Sequence, residues 1–341
     1  MKTKVKIVVI SYNQEKYIRE TLQNIISQKT NFVFEAYISD DCSTDNTVKI
    51  INEFSKKYPN IIKPTIREKN VGVVLNYLET LKQCCDADYV ALCEGDDYWC
   101  DEYKLQKQVD FMEANPDYAI CYHPARMIYM DKNHEPIIIG QSEYKNPQPY
   151  YNLIKANNIP ANSVIYRAKY LQEELKNYPE DIYPPDWFTH ISVARHGKIG
   201  YLPDVMYVYR WHSQGISHTT SNDPVKEIHL KYGVKEVNFS YTVWNKIKDR
   251  YPKYYSEIFI NTLQNIYFTY LQESKFKEID ILTKKYSQYF KDFKLNINKE
   301  ELKKYENKCR KYRKMYNMFL ITSIVFFILS IFLATCLIIK P

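Results

Sequence analysis

The sequence predicts an α/β fold in which helices flank a mostly parallel sheet. Four apolar runs of strand length alternate with stretches whose apolar residues recur at helical spacing, and helices between strands favour parallel pairing. Polar clusters, two of them acidic, directly follow three of these runs. Because ligands bind at the carboxyl ends of the strands in open α/β sheets, the three clusters are predicted to meet in one crevice.

The first two strand and helix units are defined by apolar periodicity. The run at residues 6–10 breaks at residues 11–13 and is followed by a helical pattern. The second run, residues 34–38, leads into residues 39–45, whose Ser, Thr and Asp side chains are suitable helix N-caps. Pro59 ends the second helix. The predicted inward-facing residues are Tyr17, Ile18, Leu22, Ile25 and Ile26 in the first helix and Val48, Ile51 and Phe54 in the second.

The third and fourth runs complete the predicted sheet. Residues 61–66 lead through Asn70 and Gly72 into a helix. The fourth run, residues 88–93, ends in the most acidic segment of this part of the chain, residues 94–97. The predicted inward-facing residues of the third helix are Val74, Leu78 and Leu81.

The segment Glu94, Gly95, Asp96 and Asp97 is predicted to bind a metal ion. Carboxylates held close together repel one another, and a hard divalent cation such as Mg²⁺ or Mn²⁺ relieves that repulsion and can also bind phosphates. A solvated acidic turn is the alternative. The metal site is favoured because the other polar clusters are predicted to lie at the same edge of the sheet.

These motifs, in this order, resemble the family 2 glycosyltransferases with the GT-A (Rossmann-like) fold, particularly bacterial enzymes that build surface polysaccharides. Residues 9–13 resemble the family's opening strand and turn, and residues 40–47 resemble its Asp-Asp-Gly-Ser-Thr-Asp-Asn-Thr segment. Residues 94–97 stand where the family has its Asp-x-Asp metal motif. Residues 185–187 resemble the segment with the catalytic base, and residues 209–212 resemble the loop that closes over the diphosphate.

The resemblance implies a role for each matching residue. Asp186 is implied as the general base, with a helix N-cap as its alternative. Asp96, Asp97 and His212 are implied as metal ligands, although His212 is equally compatible with a diphosphate contact or an ordinary loop histidine. His123, His190 and His196 are interpreted as structural. The implied contacts to the nucleotide sugar are Ser11, Tyr12, Asn13, Asp40, Asp41, Asn70, Glu94 and Gly95.

The resemblance also bears on the nucleotide base and on departures from the family pattern. Asp41 is favoured, with Asp40 as the alternative, to accept a hydrogen bond from the ring N–H of a uracil- or thymine-type base. The chain departs from the family pattern at several positions: Cys42 replaces the usual glycine, Ile10 a common proline, Glu94 the first aspartate of the metal motif, and Leu75 a frequent basic residue.

The implied function is inverting transfer of a sugar from a nucleotide-sugar donor to a membrane-associated acceptor, with a lipid-linked glycan favoured, in surface polysaccharide synthesis. A bound metal would offset the charge of the leaving nucleoside diphosphate. The alternative is a catalytically silent, membrane-tethered scaffold that binds the nucleotide sugar, and the intact acidic residues argue against it. A nucleotidyltransferase would need a basic phosphate-binding loop near the first strand, which the sequence lacks. Gly-x-Gly-x-x-Gly and Walker loops are also absent.

The predicted domains are a glycosyltransferase domain at residues 1–222, a helical module at 223–318 and a transmembrane helix at 319–339. The last segment has 21 residues without a charge and would span about 30 Å; a buried core helix is the alternative. Residues 303–314 carry seven basic residues and one acidic residue, most of the net charge of +7, which favours an anionic membrane surface over nucleic acid.

These features predict a single-pass C-terminal anchor with the catalytic domain in the cytoplasm. The apolar run near the N-terminus is short and interrupted by lysines, which does not fit a signal peptide. The eight cysteines include no Cys-x-x-Cys pair, which favours reduced thiols over zinc ligands or a disulfide framework.

Overall fold

The structure is a computed structural model that describes residues 3–130, 134–215, 218, 223–292, 307 and 311. The chain divides into two compact units. The first comprises Met1–Pro224 and Tyr241–Lys246, and the second comprises Val225–Ser240 and Ile247–Pro341.

The strands of the described residues all belong to the first unit. They are β1 Val5–Ser11, β2 Phe34–Asp40, β3 Ile62–Ile66, β4 Tyr89–Leu92, β5 Tyr98–Trp99, β6 Tyr118–Tyr122, β7 Ala125–Tyr129, β8 Ile137–Ile139, β9 Ile165–Arg167, β10 Lys198–Tyr201 and β11 Tyr207–Trp211. The α-helices are α1 Ile18–Ile26, α2 Thr47–Lys57, α3 Val73–Cys84, α4 Lys104–Ala114, α5 Tyr150–Lys155, α6 Ala168–Leu175, α7 Pro185–Ala194, α8 Pro224–Ile247, α9 Asn261–Gln272 and α10 Phe276–Tyr286.

A seven-stranded sheet with the order β10-β6-β9-β4-β1-β2-β3 forms the centre of the first unit. The pairs β1 with β2, β1 with β4 and β2 with β3 are parallel, as are β6 and β10. Strand β9 is antiparallel to both of its neighbours. The predicted mostly parallel α/β sheet is therefore confirmed, with one antiparallel strand that was not predicted from the sequence.

The core of this sheet contains most of the residues that the apolar periodicity placed inward. In β1, Val5, Ile7 and Val9 are fully buried. They pack in one apolar cluster with Ile18, Leu22 and Ile25 of α1 and with Ile51 and Phe54 of α2. Burying such side chains stabilises the fold by about 1.5–3 kcal/mol each, so this cluster fixes the strands whose ends form the site.

A second, four-stranded sheet has the order β5-β11-β7-β8. Strand β11 pairs antiparallel with the two-residue strand β5, with Tyr207 opposite Trp99. Because β5 directly follows the acidic segment 94–97, this pairing brings the end of β11 to that segment. The residues carried there are Arg210 and His212.

The structure corrects the prediction of a transmembrane helix. In the residues that the structure describes, no helix is both long enough and apolar enough to cross a bilayer. The 24-residue helix α8, for example, carries charged side chains along its length, including Lys226, Glu227 and Lys235. The predicted span, residues 319–339, lies outside the described residues. The membrane helix is therefore removed from the predicted fold class, and the prediction of a single-pass C-terminal anchor is wrong on this finding.

The second unit is helical in its described residues. Its core contains Phe259, Leu263 and Leu282, all fully buried. The hydroxyl of Tyr286 donates a hydrogen bond to Oδ1 of Asn238 at 2.6 Å, which joins α10 to the part of α8 within this unit.

Candidate active site

The carboxyl ends of three adjacent parallel strands form the candidate site. Ser11 and Asp40 end β1 and β2 and lie opposite each other in the register of the sheet. Strand β4, on the other side of β1, leads into Glu94, and the Gly95 N–H donates to the carbonyl of Ile10 at 3.0 Å. The predicted convergence of polar residues at one edge is therefore present.

The loops after β1 and β2 are joined by side-chain hydrogen bonds. Asn13 Oδ1 accepts from the Thr44 N–H, and the Asn13 N–H donates to Ser43 Oγ, each at 2.8 Å. Cys42 has φ 67°, in the left-handed region that favours glycine. This backbone angle is the physical reason why a glycine would be expected at the position that Cys42 occupies.

Asp40 and Asp41 both accept hydrogen bonds from the protein. Asp40 is fully buried and accepts from the hydroxyls of Ser11 at 2.9 Å and Ser43 at 2.6 Å, and from the Ser43 N–H at 2.8 Å. The two oxygens of Asp41 accept from the N–H groups of Val71 and Gly72, each at 2.8 Å. Asp40 thus shapes the loop, whereas each Asp41 oxygen has one protein donor and one further lone pair.

Three other predicted nucleotide contacts, Tyr12, Asn70 and Gly95, differ in solvent exposure and in how closely their neighbours pack. Tyr12 is 48% exposed at the end of β1, and Asn70 is exposed on the loop before α3. Gly95 is buried, and a Cβ atom there would lie 2.3 Å from Gln14 Oε1 and 2.9 Å from Ile18 Cδ1. Tyr12 and Asn70 are therefore accessible, while Gly95 allows the acidic segment to lie against α1.

Glu94, Asp96 and Asp97 form a compact acidic triad. One carboxylate oxygen from each lies within 4.8 Å of the others. Burial and the charges of Asp96, Asp97 and Asp186 raise the pKa of Glu94 well above its usual value. This electrostatic arrangement favours either a proton or a cation at the triad.

Asp97 is the most constrained member of the triad. It is fully buried, and its Oδ2 accepts from the Tyr207 hydroxyl at 2.7 Å and from Asn162 Nδ2 at 2.8 Å. Its Oδ1 accepts from the Arg210 N–H at 2.7 Å. Burial, followed by the charge of Asp96, raises the pKa of Asp97 well above the usual range.

Glu94 and Asp96 keep far more acceptor capacity than Asp97. The carboxylate of Glu94 accepts no hydrogen bond from the residues that the structure describes, and that of Asp96 contacts only His212 among them. Oxygen ligands of this kind suit Mg²⁺ or Mn²⁺. The residues present therefore fit the predicted metal, with Glu94 and Asp96 as the available ligands and Asp97 behind them.

His212 lies beside the triad. Its Nε2 is 3.2 Å from Asp96 Oδ2, and its ring packs 4.7 Å from the ring of Tyr17. Its Nδ1 is buried without a hydrogen-bond partner among the described residues. The contact with Asp96 places His212 where it can position that carboxylate, and its direct bonding to a metal stays a prediction.

Asp186 lies in the first turn of α7, whose N-cap residue is Pro184. It makes no capping hydrogen bond to the helix, so its alternative interpretation as an N-cap is not supported. Its carboxylate is partly exposed, and its Oδ2 accepts from Asn157 Nδ2 at 3.2 Å. The charge of Asp186 is among the causes of the raised pKa of Glu94.

His190, one turn further along α7, is fully buried and faces Asp186. Its Nδ1 is 2.7 Å from the hydroxyl of Tyr166, and its Nε2 is 3.9 Å from Asp186 Oδ2. Burial lowers the pKa of His190 to about 4 and raises that of Tyr166 well above its usual value. The imidazole of His190 is therefore neutral, and it carries its one proton either on Nδ1, towards Tyr166, or on Nε2, towards Asp186.

Comparison with known proteins identifies the family. Residues 6–173 match the family described as "Glycosyl transferase family 2". These residues include both acidic clusters. Residues 6–173 of the chain therefore belong to glycosyltransferase family 2. An uncharacterized protein of Mycobacterium tuberculosis is 41% identical over 219 residues, which are 64% of this chain and 62% of that protein. The chain thus spans less than two thirds of the length of this relative.

Solved structures support the GT-A fold of this chain. TarS 1-349 of Staphylococcus aureus, in complex with UDP-GlcNAc, has a TM-score of 0.53 at 20% identity, covering 84% of this chain and 92% of that one. The mannosyltransferase PcManGT from Pyrobaculum calidifontis, in complex with GDP-Man and Mn²⁺, has a TM-score of 0.50 at 16% identity. That match covers 91% of this chain and 86% of the mannosyltransferase.

Two residues of the candidate site were not identified from the sequence. Asn162, in a short 3₁₀ helix, accepts from the Glu94 N–H at 2.9 Å and also donates to Asp97. Arg210 is almost fully buried, donates to the Asp96 carbonyl at 2.7 Å and pairs with Glu20. Arg210 stands in a segment that the resemblance singled out, whereas Asn162 gave only a turn signal beside Pro160.

Proposed function

We propose that this glycosyltransferase moves a sugar from a nucleotide-sugar donor to a hydroxyl group of a glycan acceptor, with inversion at the anomeric carbon. The observation that carries the proposal is the pair of carboxylates, Glu94 and Asp96, left open at the strand ends within electrostatic reach of a third, Asp186. Family membership and the nucleotide sugars bound by the two solved neighbours support it.

The donor would lie across the ends of β1 and β2. Ser11, Tyr12, Asn13 and Asn70 would contact the nucleotide, and Asp41 would accept from the ring N–H of a uracil- or thymine-type base. The two solved neighbours bind different nucleotides, UDP-GlcNAc and GDP-Man. The base preference therefore rests on Asp41 and the sequence resemblance alone.

Glu94 and Asp96 would hold a divalent metal, Mg²⁺ or Mn²⁺, with Asp97 fixing the loop behind them. When bound, the metal would offset the negative charge of the departing diphosphate. The mannosyltransferase from Pyrobaculum calidifontis was solved in complex with Mn²⁺, which supports this choice of ion. Arg210 supplies a buried positive charge next to the triad, which also favours an anionic ligand there.

Asp186 would act as the general base. The acceptor oxygen forms a bond to the anomeric carbon, the bond from that carbon to the diphosphate oxygen breaks, and the acceptor proton moves to Asp186. The buried His190 supports this role, because its Nε2 atom lies 3.9 Å from Asp186 Oδ2 and a proton held there would favour the ionised carboxylate. His190 is a positioning residue in this scheme.

A panel of nucleotide sugars tests the proposed function, with released nucleoside diphosphate as the measure of turnover. In Asp186→Asn the donor affinity should stay near wild type, while the transfer rate should fall by about two to four orders of magnitude, the range for loss of a general base. Glu180→Gln, an exposed acidic change nearby, should behave like wild type. Donor binding without any turnover by the wild-type chain would instead favour the silent scaffold.

The acceptor is proposed to be a glycan of bacterial surface polysaccharide synthesis. TarS of Staphylococcus aureus is named a poly(ribitol-phosphate) beta-N-acetylglucosaminyltransferase and is 26% identical over 219 residues, which supports this general class of reaction. The lipid-linked form of the acceptor stays a prediction from the sequence.

A further inference from the structure

An open pocket of about 240 Å³ lies in the first unit next to the segment that contacts Asp186. Asn158 and Leu153 line it. Asn157, the neighbour of Asn158, donates to Asp186, and Trp187 Nε1 donates to the carbonyl of Leu153 at 2.7 Å. The wall of the pocket is thus bonded to the first turn of α7 through Leu153, and the residue next to Asn158 in the chain is bonded to Asp186.

The size of the pocket limits what it can hold. Complete sites for small molecules have volumes of roughly 300–1,000 Å³, and this pocket is smaller and open. It therefore suits one ring-sized unit of a longer ligand rather than a whole nucleotide sugar.

The chemistry of the lining favours a neutral, hydroxyl-rich group. The lining residues include no lysine, arginine or histidine, and they include one acid, Glu143. A phosphate would meet no positive charge there. Tyr122 and Tyr144 supply aromatic rings, against which the apolar face of a sugar ring can pack.

Three amide side chains in the wall, those of Gln141, Asn152 and Asn158, are available to a ligand. These side chains make no hydrogen bond to the residues that the structure describes, and Asn158 is exposed. Gln148 differs, because its Nε2 donates to the Tyr144 carbonyl at 2.9 Å. Each free amide offers both donors and an acceptor, the combination that sugar hydroxyls require.

We propose that this pocket binds an uncharged sugar unit of the acceptor and so presents an acceptor hydroxyl to Asp186. The proposal rests on the proposed function and narrows it, because a phosphate-bearing acceptor unit is disfavoured at this position. Asn152 and Asn158 determine the specificity of the pocket for a neutral ring.

The test measures binding of neutral methyl glycosides to the full chain by saturation-transfer NMR, using the methyl glycosides of glucose, galactose, rhamnose and N-acetylglucosamine. At least one should bind the wild type. The double variant Asn152→Ala/Asn158→Ala should weaken that binding by about tenfold or more, because two ligand hydrogen bonds are lost. Asn158→Trp should fill the pocket and abolish binding. Asn60→Ala, an exposed change distant in sequence, is the matched control and should bind like wild type.

Ribitol phosphate and glucose 1-phosphate serve as charged probes and should not compete with the bound glycoside. The assignment is overturned if no neutral glycoside binds, if both pocket variants bind like wild type, or if a charged probe displaces the glycoside. Release of nucleoside diphosphate by wild type and Asn60→Ala is measured separately. If the wild type releases nucleoside diphosphate but binds no glycoside, only the assignment of the pocket is refuted. If the glycoside binds in the pocket but no donor is cleaved, the proposed function is refuted and the pocket is still a sugar-binding site.

Discussion

The acidic residues that follow β2 and those that follow β4 lie at the same edge of the sheet but differ in what their oxygens contact. Asp40 and Asp41 accept five hydrogen bonds between them, from Ser11, Ser43, Val71 and Gly72. Glu94 accepts none from the described residues, and Asp96 contacts only His212 among them. Both members of the first pair therefore hold the loops in place, with one lone pair left on each Asp41 oxygen, whereas the second pair is largely free of protein donors and open to a metal.

This difference separates two uses of the same side chain. A carboxylate with protein donors on both oxygens stabilises a loop and loses stability when altered. A carboxylate that lies beside other acids and accepts no hydrogen bond lowers the stability of the fold. Destabilising groups of this kind are typical of functional sites. Asp97 combines both features, because it belongs to the triad but has protein donors on each oxygen.

Activity should show the largest contrast. Asp96→Asn should lower turnover by at least about two to three orders of magnitude, because a neutral amide cannot offset the charge of a metal that stabilises the leaving diphosphate. Chelation of divalent metal should reduce the wild-type rate similarly. The measurement is steady-state release of nucleoside diphosphate.

The control is Asp110→Asn, an exposed aspartate that accepts from Gln106 on the same helix. It should keep the wild-type rate. Full activity of the wild type in chelator would show that the acidic triad does not act through a metal.

Stability should change in opposite directions at the two clusters. Asp40→Asn should lower the free energy of unfolding by about 2–3 kcal/mol, because an amide cannot accept all three hydrogen bonds that Asp40 accepts. Asp96→Asn should leave the metal-free protein equally or more stable, because one charge of the triad is removed. Urea unfolding measures both. A larger loss of stability in Asp96→Asn than in Asp40→Asn would reverse the comparison.

The dependence of the free energy of unfolding on pH should be the smallest of these effects. Glu94 has a raised pKa in the folded chain, so the folded protein keeps a proton that the unfolded chain releases above pH about 4.5. The free energy of unfolding of the metal-free protein should therefore fall as the pH rises from that value towards the raised pKa, by at most about 1.4 kcal/mol per unit for this group.

Thermal unfolding at several pH values, in chelator, measures this slope. Glu94→Gln should reduce it, because the amide does not titrate. Asp97 contributes with the same sign, so a residual slope is expected in the variant. Identical slopes in wild type and Glu94→Gln would contradict the raised pKa.

The sequence predicts the first four strands and their helices because each unit has its own apolar periodicity. Strand β9 and the second sheet could not be predicted in the same way. Three of these strands, β5, β8 and β9, have only two or three residues, which is too short for a clear period. Their pairing, such as Tyr207 with Trp99, joins segments that are distant in the chain.

The site was predictable to the extent that it follows strand ends. The acidic clusters and Asp186 could be named from motifs, but the division between open and bonded carboxylates depends on Asn162, Arg210 and Tyr207, which approach from other segments. His190 could not be distinguished from a structural histidine without the distance to Asp186. The membrane helix was predicted from the length and apolarity of residues 319–339 and from the basic residues before them, and the described helices do not include one of that kind.

The most direct test of the central claim is Mn²⁺ binding, measured by electron paramagnetic resonance of free Mn²⁺ in the presence of UDP. The wild type and Asp110→Asn should each bind one Mn²⁺ per chain, and Asp96→Asn should bind it at least about tenfold more weakly, because a carboxylate ligand is lost. Equal Mn²⁺ affinity in the three proteins, or no binding to the wild type, would contradict the assignment of Glu94 and Asp96 as the open, metal-binding carboxylates.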